Sequence, residues 1–372
     1  MNIKRSPKLL TRAEAKGEDE ALASSITRAE AKGEDEALAS LITRAEAKGE
    51  DEALASSTIN FGGKTKIKVI GVGGAGSNAV SRMMKCKLKG VDLIAVNTDV
   101  QDLKKAKAHQ KLCIGKSLTG GLGAGMNPEI GKRAAEKSRE EILELLKGSD
   151  IVFVTAGLGG GTGSGAAPAI AEMAKNMGAL TIAVVTKPFS FEGKQRVRIA
   201  EKSLENLRER VDALLMIPND RILAQVDEKT TLLSAFWNCD EILRQAVQGI
   251  TDLILLPGII NVDFADVKAI MENSGPALFG VGQSQGEKRV EEVVNRAINS
   301  PLLDFSIEGA KGILFNISGG EGLSLNEISE IAKMITKSTH PKAKIIFGAI
   351  HDKKFQKDEI KLTVIATGFE QR

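Results

Sequence analysis

Residues 151–165 read IVFVTAGLGGGTGSG, with glycines at 159, 160, 161, 163 and 165 broken only by Thr162 and Ser164. Glycine tolerates positive φ and, lacking Cβ, lets backbone N–H groups close on an anion, so these residue types suit a phosphate cradle. The apolar, largely β-branched run from Ile151 to Val154 predicts a buried strand leading into the loop. Behind it, AAPAIAEMAKNMG (166–178) has helical spacing. The loop is therefore expected at a helix N-terminus, where free N–H groups and the helix dipole favour negative charge. A diphosphate or triphosphate is the expected guest.

Two further glycine segments compete for the same reading. GVGGAGSN (71–78) follows an apolar run and carries Gly73, Gly74, Ala75 and Asn78, while GGLGAG (120–125) carries Gly123, Ala124 and Gly125. Alone, the first fits a dinucleotide fingerprint, and Asp99 would imitate its ribose-binding acid. A dinucleotide site needs one such loop, so three converging loops favour a nucleoside phosphate. GKT at 63–65 and GKS at 115–117 do not make a P-loop, because Thr58 and Gln110 stand where its first glycine is required. Elsewhere, NVDFADV places Asp263 and Asp266 three residues apart, on one face at a helix start. That pair suits a water-orienting carboxylate site, and equally an N-cap followed by a dipole-favoured first-turn acid.

The surrounding pattern alternates strands and helices: strands at 66–72, 92–98, 151–156, 179–186 and 213–217, and helices at 131–147, 166–177 and 193–209, with another opening at Gly74. This predicts an α/β fold with a doubly wound parallel sheet. A long helix is expected at 231–255. After Gly275, four strands (ALFGVG, KGILFNI, KIIFGAI, KLTVIAT) and helices at 286–299 and 324–337 predict a smaller α+β domain. The expected division is 1–60 as an extension, 61–230 for nucleotide binding, 231–260 as central helix and connector, and 261–372 as C-terminal α+β domain.

The extension repeats TRAEAKGEDEALAS at 11–24, 27–40 and 43–56. A step of sixteen residues rotates successive copies by about 160°, so no continuous apolar stripe forms and a disordered or transiently helical tail is expected. Residues 1–60 carry 9 basic and 12 acidic groups against a net +3 for the whole chain. The mild, scattered positive balance left to residues 61–372 argues against nucleic acid. No apolar run reaches a membrane span and MNIKRSPKLL lacks a secretion core, so a cytoplasmic location is expected. Three separated cysteines and three unclustered histidines predict neither a disulfide framework nor structural zinc.

Taken together, GVGGAGSN, NTD (97–99), GLGAGMNP (121–128), GGGTGSG, TKPFSFEGKQR (186–196), IPND (217–220), AFWNCD (235–240) and NVDFADV (261–267) closely resemble the FtsZ branch of the tubulin/FtsZ superfamily, over residues 64–369. The resemblance implies a self-assembling GTPase of cell division, with GTP or GDP and Mg²⁺ as ligands. Phosphates would fall to the glycine loops with Asn97 and Asp99 beside them, and Thr162 near the terminal phosphates and Mg²⁺. Glu192 and Arg196 would hold the ribose and phosphate side, with Pro188 also at the binding site, Asn219 and Asp240 would read guanine, and Phe236 would stack on the ring. A carboxylate at Asp240 accepts from guanine N1–H and the 2-amino group, neither of which adenine offers. Trp237 is equally consistent with core packing.

By the same resemblance, Asn261, Asp263 and Asp266 would enter the nucleotide site of the next subunit in a head-to-tail homopolymer at a mid-cell ring, so that hydrolysis requires polymerisation. A GTP-binding paralogue without turnover would need neither aspartate, and an NAD-dependent enzyme is the remoter alternative. Ser164 stands where FtsZ loops usually have Thr, with little consequence expected. The chain ends at ATGFEQR, so the linker and terminal peptide through which the family meets membrane-anchoring division adaptors have no counterpart in it.

Overall fold

The computed structural model describes residues 65–88, 90–223, 230–256, 258–299, 307–352 and 355–369. The repeats expected to form a disordered extension over 1–60 lie outside the described residues. Six parallel strands form one half of a sheet: β1 (Ile67–Val72), β2 (Val91–Asn97), β3 (Gln110–Cys113), β4 (Ile151–Gly157), β5 (Leu180–Lys187) and β6 (Ala213–Pro218). Alternate residues point to opposite faces, and both faces are covered. Ile67, Val69, Ile151 and Phe153 enter one core, while Ile70, Val72, Val152 and Val154 enter another. Coverage on both sides explains why these strands read as continuous apolar runs.

On the first face lie α1 (Gly73–Lys85) and the long helix α9 (Leu232–Leu255). The second face carries α4 (Pro128–Lys137), α5 (Arg139–Leu146), α6 (Thr162–Asn176) and α7 (Lys194–Arg208). Short helices α2 (Val100–Lys105), α3 (Lys116–Thr119) and α8 (Asn219–Leu223) fill connections, and α10 (Phe264–Met271) follows α9. The C-terminal part comprises β7 (Gly275–Gln285), α11 (Arg289–Ile298), β8 (Gly312–Gly319), α12 (Leu325–Lys337), β9 (Lys344–His351) and β10 (Glu359–Thr367), around a third core that includes Val293, Phe315 and Ile331.

All ten strands belong to one sheet in the order β3-β2-β1-β4-β5-β6-β7-β10-β8-β9. The junction is short: Ala213, Leu214 and Leu215 of β6 pair in parallel with Gly275, Pro276 and Ala277 of β7. Beyond it, β10 runs antiparallel to both β7 and β8. Three local expectations are corrected. The helix expected over 131–147 breaks at Ser138, whose buried hydroxyl accepts the Gly115 N–H at 3.1 Å and ties the break to the loop before α3. The strand β3 had no sequence signal, since QKLC is a four-residue edge with two exposed polar residues and no alternation to read. The helix expected from residue 166 begins at Thr162, so the TGSG of the glycine loop is already its first turn.

Candidate functional site

In this sheet β1 is flanked by β2 on one side and β4 on the other, so the chain reverses its direction of travel between β1 and β4. Loops after the C-terminal ends of two such strands diverge and leave a crevice, the usual ligand position in an open parallel sheet. A cavity of about 540 Å³ lies there. Its walls include Gly73, Gly74 and Ala75 from the first turn of α1, Asn97 and Asp99 after β2, and Gly123, Ala124 and Gly125 before α4. Gly160, Gly161, Thr162 and Gly163 close it from the start of α6. Pro188, Glu192 and Arg196 follow β5, Asn219 follows β6, and Phe236 and Asp240 enter from the first turns of α9.

Neither α1 nor α6 has a side-chain cap, so the first-turn N–H groups of both helices are left to a ligand or water. The glycines of the larger loop serve two distinct needs. Of the five, only Gly159 has positive φ, at +99°. Gly161 is required for space, because a Cβ there would stand 2.8 Å from both the Ala124 Cβ and the Asn127 nitrogen. Gly163 and Gly165 likewise leave room for the Gly157 and Pro128 carbonyls, so the missing Cβ allows close packing of α6 against β4 and α4.

Asn78, Gly159 and Ser164 do not line the cavity. Asn78 is exposed along α1. The buried Ser164 hydroxyl accepts the Gly159 N–H at 2.9 Å, and its carbonyl accepts the buried Ser203 hydroxyl at 2.8 Å. These two residues therefore hold the loop's shape from behind. The Thr162 hydroxyl lies 2.7 Å from that of Thr98. Asp99 Oδ1 accepts the N–H groups of Gln101 and Asp102, capping α2.

The cavity also takes in Asp102, Leu122, Met126, Gly157, Leu158, Thr186 and Cys239, which sequence reasoning did not single out. Asp102 was findable, since it sits one helical turn beyond Asp99; the others are placed by the folding of connections. Burial pushes the Cys239 thiol up to about 12, so it stays protonated at neutral pH.

Two buried polar atoms at the cavity wall have no partner, Asn97 Nδ2 and Asn219 Oδ1. Asn97 spends its carbonyl oxygen on the Thr98 and Asp99 N–H groups, leaving only amide donors. At the other end, burial opposed by the Arg82 charge pushes the Asp240 carboxyl up from 3.8 to about 6, leaving it ionised at neutral pH. Asn219 Oδ1 and Asp240 thus provide acceptors at one end, while the glycine loops and Asn97 provide donors at the other. Unsatisfied buried groups of this kind are costly and mark where a complementary ligand fits. Among the described residues no three His, Cys, Asp or Glu side chains form a metal cluster.

Aromatic rings frame the acceptor end. Phe236 is 40% exposed and meets Phe189 edge-on at 5.3 Å. Trp237 is 57% exposed, with the Arg82 guanidinium 3.4 Å from its ring centroid, so the core-packing reading of Trp237 fails. Arg82 also donates to Glu241 at 2.9 Å. Burial would raise the Glu241 carboxyl, but hydrogen bonds from Arg244 and Arg82 outweigh it and hold the group down at about 2. Glu192 is similarly committed, one oxygen accepting the Phe189 N–H and the other pairing with Arg196 at 2.7 Å.

Asn261, Asp263 and Asp266 are absent from the cavity wall. Asp263 caps α10, its Oδ1 accepting the Asp266 N–H at 2.8 Å, and Asn261 Oδ1 accepts the Gly258 N–H at 2.6 Å. All three follow the C-terminal end of α9, whose first turns supply Phe236 and Asp240. At 24 residues, α9 is about 36 Å long.

Residues 66–227 match the model of the tubulin/FtsZ family GTPase domain, and residues 275–370 match that of the FtsZ family C-terminal domain. The chain superposes on a structure titled as an empty FtsZ dimer from M. jannaschii with a TM-score of 0.80 and 46% identity, over 86% of this chain and 92% of that one. The chain belongs to the FtsZ family. Two Haloferax volcanii structures, a GDP-bound CetZ1 monomer and a CetZ2 protofilament bound to GTPγS, share 23% identity and TM-scores of 0.71, each covering 82% of this chain and 95% and 94% of their own, respectively. At that identity they speak for the fold alone. Membership in the FtsZ family removes the dinucleotide-enzyme alternative, because the glycine segment at 71–78 lies within the matched GTPase domain. No helix among the described residues is long and apolar enough to cross a membrane.

Proposed function

We propose that the chain is a cytoplasmic, self-assembling GTPase of cell division that binds GTP in the crevice between β1 and β4 and hydrolyses it only after head-to-tail association. Guanine would present its N1–H and 2-amino donors to Asp240 and Asn219, with Phe236 against the ring. The phosphates would lie across the uncapped first turns of α1 and α6, and Arg196, held by Glu192, would sit on the ribose and phosphate side. Mg²⁺ keeps several waters and needs few protein ligands when phosphates share its coordination. It would sit on the terminal phosphates near Thr162 and lower the charge that the attacking water meets.

One observation carries the assembly half of this reading. Phe236 and Asp240 lie in the first turns of α9 and the carboxylate pair follows its C-terminal end, about 23–28 Å further along the helix. A nucleotide bound in this cavity therefore meets Asp263 and Asp266 only from another copy. There they would orient the attacking water and take its proton, with Asn261 beside them. Phosphoryl transfer depends mainly on such positioning and charge stabilisation, and a general base adds about 10²–10⁴-fold. The resulting filament would serve a mid-cell ring and would need adaptors to reach the membrane.

The test is GTP hydrolysis with Mg²⁺ across a protein dilution series, with ninety-degree light scattering followed in the same cuvette. A shared concentration threshold for scattering and phosphate release is expected. Turnover per subunit that stays constant down to high dilution would refute the shared site.

A further inference from the structure

Along α6, beyond the first turn that borders the nucleotide crevice, lies a second cavity, of about 440 Å³, that the proposed activity does not use. Its floor is a helical stripe on α6 made of small or buried residues, chiefly Gly165, Pro168, Ala169 and Met173. Positions three and four apart share one helix face, and the stripe is about 12 Å long. The walls are α4 with the start of α5 on one side and α7 on the other, and they carry five cations. Two of these are spoken for: Lys132 pairs with Glu136 at 3.9 Å, and Arg210 with Glu172 at 3.4 Å. For Arg139, Arg198 and Lys202 no ion pair is present among the described residues, and Glu129 is the remaining carboxylate on the walls. An apolar floor under a surplus of positive charge calls for a ligand with acidic groups beside small apolar ones.

The chain carries such a ligand three times over. Each N-terminal repeat contains EDEAL, at 18–22, 34–38 and 50–54, an acidic triplet followed at once by alanine and leucine. From first to last Cα, five extended residues span about 13 Å, close to the length of the stripe. We propose that the groove between α4, α6 and α7 binds the EDEAL segment of a second copy of this chain, with the carboxylates on Arg139, Arg198 and Lys202 and the leucine over Pro168 and Met173. The repetition supports a partner in another molecule: three identical ligands at a sixteen-residue spacing can engage grooves on several copies, and linkage multiplies weak contacts into a durable one. Binding of the segment does not require assembly. Its consequence, lateral cross-linking of filaments, rests on the proposed polymerisation.

The test uses the full chain with GDP, so that no filament is needed. A fluorescein-labelled peptide of residues 43–56 is titrated and its anisotropy read at 50 and 300 mM salt. Saturable binding that weakens several-fold at the higher salt is expected, as for pairs of exposed charges. The double variant R198E/K202E, both positions exposed, should weaken it about tenfold or more, since two attractions become repulsions. K333E/K337E, a charge reversal of equal size on α12, should bind like the unmodified chain. A peptide with its triplet changed to Gln-Asn-Gln should not bind. Equal binding by R198E/K202E, equal loss in K333E/K337E, or no saturable binding at all would each overturn the proposal, whatever the GTP turnover of the same samples. Turnover in dilute R198E/K202E is expected to match the unmodified chain, because neither residue lines the nucleotide crevice.

Discussion

Replacing Asp240 by Asn separates the cost of this carboxylate from its proposed use in reading guanine. Its pKa moves from 3.8 to about 6 because burial disfavours the ionised form, an effect only partly offset by the Arg82 charge. Each tenfold step is worth about 1.4 kcal/mol, so the ionised group costs the folded state about 3 kcal/mol at neutral pH. The direction follows from linkage. A raised carboxyl contributes its stability in full below pH 3.8, and that contribution is lost as the pH rises through about 6. Asn is neutral throughout, so Asp240→Asn should stabilise the nucleotide-free protein at pH 7.5 by up to about 3 kcal/mol, with the gain vanishing towards pH 4. In a domain of this size that corresponds to a rise of about 5–10 °C in Tm. The same change should weaken GTP binding by about 1.5–3 kcal/mol, because a charge-assisted acceptor pair is lost. Unmodified protein should in turn lose about tenfold in GTP affinity per unit of pH below 6, as Asp240 takes up a proton. Thermal melts of nucleotide-free protein at pH 7.5 and 4.5, with GTP titrations at each, test all of this. A variant that melts lower at pH 7.5 yet binds GTP unchanged would refute the argument.

Two further outcomes follow from local geometry. Asp266→Ala should leave GTP affinity and Tm near those of the unmodified protein while abolishing turnover, whereas Asp263→Ala should also lower stability by about 1 kcal/mol through loss of the α10 cap; nucleotide titration, melting and phosphate release separate the two. Ser164→Ala strands the buried Gly159 N–H and should destabilise the protein by about 1–3 kcal/mol with weaker GTP binding, while Ser164→Thr retains the hydroxyl acceptor and should keep both. Equal effects of Ala and Thr would show that bulk, and not the hydrogen bond, is what position 164 provides.

The local chemistry was legible in the residues themselves. Three glycine clusters, two of them directly after apolar runs, predicted loops that converge, because only strand and helix periodicity and the lack of a Cβ were needed to infer them. The Asp263–Asp266 spacing predicted the N-cap that forms. Other features depend on residues distant in sequence. Gly161 is glycine because Ala124 and Asn127 crowd it, and no local pattern reveals that neighbour. Ser164 reads as a ligand contact in the motif, yet it turns inward to Gly159. Trp237 has the composition of a core residue, but Arg82 from α1 holds it at the surface. The β6–β7 pairing that joins the parallel strands and the C-terminal strands in one sheet rests on three residue pairs, too few to leave a signal in either strand.

The sequence by itself determined which backbone conformations were affordable and where apolar faces recur, and these set the fold class and the glycine loops that line the cavity. Only the tertiary structure decided which side chains meet across the crevice, that Asp240 is buried enough to resist ionisation, and that the carboxylate pair follows the far end of α9. Those outcomes depend on desolvation and on distances between residues remote in the chain, and both arise only once the elements have packed.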